Sequence, residues 1–243
     1  MSTRTREEVQ KIYADDPENY DKVRLVDLRG QIVSNHDVSL FEQMLPIDPG
    51  DMRVVEIGAG TGRFTLPALA RNYHITATDV NQSMLELLSD KVAEKGWSDR
   101  CTIQTEDIFN LSFDDNSIDY LFCLHVIPRF ATLADQDAAI REMVRVLKPG
   151  GRLLFNYNNR TSFWGFLYKG YSTKSSEMKA ILAKANMKIQ MQRGKWFVNR
   201  TLINKIPLFI GRMLVILDDL MLSFLPNFAW DVFIVAQKDQ EQQ

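Results

Sequence analysis

Apolar residues fall along the chain in two rhythms. Short runs such as Val54-Val55-Glu56-Ile57, Ile75-Thr76-Ala77-Thr78 and Tyr120-Leu121-Phe122 read as buried strands. Met84, Leu85, Leu88 and Val92, and later Ile140, Met143, Val144 and Leu147, repeat instead at helical spacing. Strands alternating with helices predict an α/β fold, a parallel sheet with helices on both faces. Ahead of this core, Thr5 to Glu8 forms a capping-box pattern followed by Val9, Ile12 and Tyr13, which predicts an N-terminal helix suited to a lid. Behind it, Ile206 to Leu225 is almost wholly apolar. Lys205, Arg212, Asp219 and Ser223 recur there at helical spacing, predicting a helix with one narrow polar stripe.

The string Val54-Val55-Glu56-Ile57-Gly58-Ala59-Gly60-Thr61-Gly62-Arg63-Phe64 narrows the chemistry most. Glycines at 58, 60 and 62 let the backbone turn sharply at a strand end and approach a ligand without a Cβ in the way. A dinucleotide site needs G-x-G-x-x-G, with the pyrophosphate on a helix N-terminus. Here the third glycine comes one residue early and Arg63 stands where that pattern needs glycine. Glu56 would repel a pyrophosphate and attract a cation, and no Gly-Lys-Ser/Thr follows to make a Walker loop. An adenosyl cofactor with an amino-acid tail and a sulfonium fits this loop better. Asp79, about 20 residues beyond the loop at the end of the next strand, can accept two hydrogen bonds from a ribose. Asp79 and Asn81 compete as N-caps of the following helix.

With these residues in view, the chain resembles the class I S-adenosylmethionine-dependent methyltransferases, in order, through most of residues 10 to 190. Glu56 to Gly62 is similar to that family's first motif, Asp79 to its ribose-binding acid, and Glu106-Asp107-Ile108 to its adenine-binding segment. Phe113 to Asp119 resembles the run into the fourth strand, and Val146 to Leu154, through Lys148-Pro149-Gly150-Gly151, the helix end, turn and fifth strand. The resemblance implies a doubly wound, mostly parallel seven-stranded sheet, with the last strand, Trp230 to Gln237, antiparallel. It implies S-adenosylmethionine as cofactor, held by Glu56, Gly58, Ala59, Gly60, Gly62, Asp79, Val80, Asp107, Ile108 and Cys123. The expected plan is a single domain: a helical lid over 1–48, the cofactor-binding core over 49–160, a substrate-side region over 161–200, an apolar helical insertion over 201–228 and the last strand over 229–238.

The acceptor side is less legible. His125 follows the Tyr120-Leu121-Phe122 strand at the position that, in this fold, faces the methyl, and an imidazole suits deprotonation of a hydroxyl or ammonium near neutral pH. It is the candidate catalytic base; a histidine satisfied by a backbone carbonyl is the competing reading. Tyr13 and Tyr20 in the lid, with Asn156, Tyr157 and Asn158 after the fifth strand, are candidates for the substrate pocket, and both tyrosines also read as packing residues. Cys123-Leu124-His125-Val126 stands where methyltransferases of base or side-chain amide nitrogens usually carry Asn/Asp-Pro-Pro-Tyr/Phe, which counts against those substrates.

At 243 residues and 45% hydrophobic the chain can bury one large α/β core. Cys101 and Cys123 have no C-x-x-C partner and read as buried thiols of a cytoplasmic protein. No signal-peptide core follows Met1, and the three histidines lack metal-ligand spacing, so neither export nor a metal is expected. The net charge of −2 conceals an asymmetry: residues 1–159 hold 17 Lys/Arg against 25 Asp/Glu, and residues 160–217 hold 11 against the single acid Glu177. Three readings compete for this basic and then apolar region. It is a cap buried on the core with Lys174, Lys179, Lys184 and Lys188 on a solvated face, or a peripheral membrane contact, or a homodimer interface. Lys205, Arg212, Asp218 and Asp219 interrupt it too often for a membrane span, and nucleic acid has only nonspecific phosphate contact in its favour. The function expected is methyl transfer to a small-molecule or lipid-linked metabolite; the alternative is a cofactor-binding sensor or partner subunit without turnover.

Overall fold

A computed structural model describes residues 28–162, 172–195, 206–221 and 224–240. The capping-box helix, Tyr13 and Tyr20 lie outside the described residues. The elements run α1 (Leu28–Met44), β1 (Val54–Ile57), α2 (Thr65–Ala70), β2 (Ile75–Asp79), α3 (Gln82–Glu94), β3 (Cys101–Thr105), β4 (Ile118–Cys123), α4 (Leu133–Val146), β5 (Leu147–Asn158), α5 (Ser175–Lys184), β6 (Met187–Lys195), α6 (Leu208–Met221) and β7 (Asp231–Lys238). Short 3-10 turns cover Ile127–Arg129 and Pro226–Phe228.

The seven strands form one sheet in the order β3-β2-β1-β4-β5-β7-β6. β1 to β5 pair in parallel and β7 lies antiparallel between β5 and β6, as the resemblance implies. Strand periodicity divides the core in two. Val55, Ile57, Leu121, Cys123, Leu153, Phe155 and Tyr157 point to one face, where they meet Ile140 and Met143 of α4 and Met178 and Ile181 of α5. Val54, Tyr120, Phe122 and Leu154 point to the other, against Phe41 of α1, Leu69 of α2 and Leu85 and Leu88 of α3. Since side chains alternate, the partners of these residues in the same strands are assigned to faces too: Glu56 lies on the α1 to α3 side, and Asn156 lies on the opposite side from Tyr157.

The expected helical faces are buried as read, including Met84, Leu85, Leu88 and Val92 of α3. Asn81, not Asp79, caps α3, its side chain accepting from the Ser83 and Met84 backbone N–H groups. Cys101 departs from expectation in being only partly buried; Cys123 is buried, and both thiols are free. The larger departure is α6. Only Gly211 and Asp218 of its side are buried, whereas Phe209, Met213, Ile216, Leu217 and Leu220 are exposed. The cap reading therefore fails for the apolar face of this helix, although Lys174, Lys179, Lys184 and Lys188 are exposed as that reading required.

Candidate functional site

The glycine loop follows β1 and is clamped to β2. The N–H groups of Gly58 and Ala59 both donate to the Thr78 carbonyl at 2.8 Å, that of Gly62 donates to Ala59 O, and that of Gly60 donates to Asp79 Oδ2 at 2.9 Å. These four donors are thus already committed, three of them to β2 and one within the loop, and do not form the anion nest that a pyrophosphate needs. Gly58, Gly60 and Gly62 all have positive φ. A Cβ at Gly58 would sit 2.3 Å from Val126 Cγ2 and one at Gly62 2.5 Å from Leu88 Cδ1, so these two are fixed by packing. Gly60 meets nothing within 4 Å. Its open side is where a ligand can lie against bare backbone, next to Asp79.

Two acids flank the loop. Glu56 is 2% exposed, with the Thr65 hydroxyl donating to Oε2 and no cation among its described contacts. Burial pushes its pKa up to about 8, against the Thr65 hydrogen bond and with a smaller contribution from the Asp79 charge. A buried carboxyl in this condition is suited to a ligand cation. Asp79 Oδ1 accepts the Asn81 N–H at 2.9 Å and Oδ2 the Gly60 N–H, with the Val80 N–H also bonded to the carboxylate, and its remaining acceptor capacity faces the open side of Gly60, where ribose hydroxyls can reach it. Burial raises its pKa, with those backbone donors opposing. Val80, next in sequence, is an exposed apolar side chain, Ile108 is buried, and Asp107 is exposed with Oδ1 accepting from the Phe109 N–H at 3.0 Å. Glu106 beside it is buried and serves the turn itself, accepting from Gln104 Nε2 and from Ser112. These features fit the two cations, the ribose and the flat base of S-adenosylmethionine. Removing the Asp79 carboxylate deletes charge-assisted bonds worth about 1.5–3 kcal/mol, so Asp79→Ala is expected to weaken cofactor binding roughly 10-fold to 150-fold by calorimetry.

Cys123 is wholly buried with its side chain on the α4 and α5 face, so a cofactor contact from this residue falls to its backbone. Burial, with the Glu56 and Asp79 charges, pushes its thiol pKa up and keeps it protonated. Tyr157 is corrected more firmly. It is 1% exposed on that same far face, among the core side chains, and belongs to the packing and not to a substrate pocket. The β5 register puts its neighbour Asn156 on the side of the sheet that carries α1.

There Asn156 joins a cluster that the sequence did not reveal. His125, at φ 61°, donates its backbone N–H to Asn156 Oδ1 at 2.6 Å, and the Asn156 amide nitrogen lies 3.4 Å from His125 Nδ1 and donates to Asp231 Oδ1 at 2.8 Å. His125 Nε2 lies 3.2 Å from Asp37 Oδ2, at ion-pair distance but off good hydrogen-bond alignment. Asp37, from α1, is also paired with Arg63 of the glycine loop and with Lys195 at the end of β6, whose ammonium is 3.3 Å from Asp231. Phe64 stacks on the His125 ring at 5.9 Å between centroids. Burial alone would raise the Asp37 pKa, but Lys195, Arg63 and His125 hold it well below the usual carboxylate range. Lys195 is raised, Asp37 and Asp231 outweighing its burial. His125 is lowered because burial outweighs Asp37, which leaves it neutral near pH 7. With an anion at Nε2, the proton of the neutral ring belongs on Nε2 and the lone pair on Nδ1. Arg63 is therefore a tie between the cofactor loop and α1. Among the described residues no group of histidine, cysteine and acid side chains is arranged to hold a metal.

Residues 55–155 match the methyltransferase domain family. The chain is 33% identical over 135 residues to the ubiquinone/menaquinone biosynthesis C-methyltransferase UbiE of Pseudomonas paraeruginosa, covering 54% of this chain and 51% of that one. It thus spans about half the length of the curated relatives it matches. Among solved structures, the [4+2]-cyclase SpnF superposes with a TM-score of 0.70 at 19% identity, over 99% of this chain and 98% of that one. Magnesium protoporphyrin IX methyltransferase from Synechocystis, with bound S-adenosylhomocysteine, gives 0.66 at 15% identity, over 97% and 100%. Both show the fold. A loop whose donors are already spent, acids placed for a cation and a ribose, and the match across 55–155 agree: residues 55–155 are a methyltransferase domain similar to those of the class I S-adenosylmethionine-dependent enzymes.

Proposed function

We propose that the protein transfers the methyl group of S-adenosylmethionine to a small-molecule or lipid-linked acceptor. The observation that carries this reading is the pairing of a glycine loop whose amide donors are already spent, flanked by the acids Glu56 and Asp79, with a neutral, oriented imidazole at the end of the neighbouring strand β4. S-Adenosylmethionine, when bound, supplies a methyl already activated by positive sulfur, so placement of the acceptor is the protein's main task. Asp79 and the open side of Gly60 hold the nucleoside end, and Glu56 holds cationic charge beneath the loop. Val80, Asp107 and Ile108 bound the base. Asn156 and Asp37 fix the His125 ring, and Nδ1 receives the proton of an oxygen or nitrogen acceptor. Free Cys101 and Cys123 support a cytoplasmic setting.

A second reading, cofactor binding without turnover, draws support from the same cluster, since both ring nitrogens of His125 already have neighbours. Labelled methyl transfer from S-adenosylmethionine into an extract of the source cells, fractionated into organic-soluble, water-soluble, protein and RNA pools, separates the two. Transfer into a metabolite pool is expected; binding of the cofactor with no S-adenosylhomocysteine formed would make the protein a sensor. On the acceptor so found, His125→Ala is expected to lower kcat by about 10²-fold to 10⁴-fold with cofactor affinity kept, and unchanged turnover would remove His125 from catalysis.

A further inference from the structure

Helix α6 is built inside out. Its buried positions are Gly211 and Asp218, seven residues apart and hence on one face, and neighbouring Asp219 lies 3.1 Å from His36 Nε2 of α1. Its outward face carries Phe209, Met213, Ile216 and Leu220, exposed by 67, 58, 61 and 76%. Phe224 and Phe228, beyond the helix end, extend the same kind of surface with exposures of 60 and 53%. A soluble surface helix has the opposite orientation. α6 packs on α1 and β6 with Gly211 and Asp218 buried and Leu208, Ile210, Leu214 and Val215 half-buried, and leaves Phe209, Met213, Ile216 and Leu220 outside.

Charge decides the occupant. Arg212 is exposed at the edge of the apolar stripe, three residues after Phe209 and four before Ile216. Of the acids of α6, Asp218 is buried and Asp219, seven residues beyond Arg212 on the same edge, is held by His36 while staying half exposed. Residues 160–217, which include most of α6, hold 11 Lys/Arg against the single acid Glu177, so a second copy docked about a two-fold axis would bring like charge to like. A lipid surface provides what is missing, an apolar layer for the stripe and phosphates for a snorkelling arginine. Lys174 is exposed next to Ser175, whose hydroxyl is bonded to Asn227 of the Pro226–Phe228 turn, so a further cation edges the apolar surface there. Among the described residues no helix is long and apolar enough to cross a membrane. We infer that α6 is a monotopic anchor, lying in the headgroup layer of an anionic membrane with Phe209, Met213, Ile216 and Leu220 inserted and Arg212 on lipid phosphate. This deepens the proposed reading by naming a lipid surface as partner, but it rests on α6 and not on turnover.

The test is flotation of the full chain with phosphatidylcholine vesicles and with vesicles containing phosphatidylglycerol, alongside sedimentation of the protein alone. The wild type is expected to float with the anionic vesicles, less so at high salt. Ile216→Glu with Leu220→Glu is expected to reduce partition on the order of 100-fold, and Arg212→Gln about fivefold on anionic vesicles only. All three side chains are exposed, so the thermal midpoint should hold. Failure of the wild type to float, flotation untouched by the double substitution, or a wild-type dimer that the double substitution turns into monomer would each overturn the inference. Flotation by a protein that transfers no methyl would leave the anchor standing and refute only the activity.

Discussion

Glu56→Gln is expected to make the cofactor-free protein more stable at pH 8 and its cofactor binding weaker. The native pKa of about 8 lies above the unfolded value near 4.5, so the folded protein holds a proton that the unfolded chain has released between these limits. Stability therefore falls as pH rises from about 4.5 to 8, by roughly 3–5 kcal/mol in all, and it is the ionised form that is unfavourable. Glutamine keeps the shape, can still accept from Thr65 and has no charge to bury. The thermal midpoint of the variant should exceed that of the wild type at pH 8 by several degrees and match it closely at pH 5. Binding runs the other way. A ligand cation favours the carboxylate, so cofactor binding by the wild type near pH 7 should release a proton, visible as a dependence of calorimetric heat on the buffer's ionisation enthalpy. The variant should release none and bind at least about tenfold more weakly. A variant less stable than wild type at pH 8, or proton release unchanged by the substitution, would show that Glu56 is a structural acid.

Asp37→Asn is expected to be among the most damaging single substitutions in the described chain. Asp37 is the shared anion of Arg63, Lys195 and His125, and the Lys195 and Asp37 side chains are 5 and 2% exposed. Removing one charge from a buried set leaves its partners uncompensated, at about 3–5 kcal/mol, which is a fall of roughly 6–20 °C in the midpoint for a domain of this size. Combining Asp37→Asn with Lys195→Met should cost much less than the sum of the two, because the second change removes the charge the first one stranded. A purely steric role would give additive losses. The His125 ring supplies an independent readout. Asp37 opposes the burial that lowers its pKa, so proton NMR of the variant should show His125 titrating at still lower pH.

The cofactor half of the site was legible because it is local. Glu56 to Gly62 is one strand and one turn, Asp79 ends the next strand, and Asp107 and Ile108 follow the third, so order along the chain reproduces order in space. The cluster around His125 is not local. Asp37 and Lys195 are 158 residues apart and their pairing leaves no pattern in either neighbourhood. Asn156 and Tyr157 were read together, and the two-residue alternation of β5 separated them, one to the charged cluster and one to the core. For α6 the periodicity gave the helix, described over Leu208–Met221, but a hydrophobic period has no sign, and the acid that is buried, Asp218, lay outside the polar stripe read through Arg212 and Asp219. Which stripe faces inward was settled by the polar partners waiting on α1, such as His36 for Asp219.

The position of β7 bears on how the protein is made. The last strand in the chain is not last in the sheet: it lies between β5 and β6, and β6 is hydrogen-bonded to it alone among the strands. A growing chain can pair β1 to β5 as they emerge from the ribosome, whereas β6 has no edge to join until residues 231–238 have been synthesised. Lys195 sits at the end of β6, so the salt link to Asp37 must wait for the same event. The cofactor-binding half can thus be complete while the support of the His125 ring is still unmade, and S-adenosylmethionine present during synthesis would favour a nascent chain that binds before the cluster around His125 is assembled.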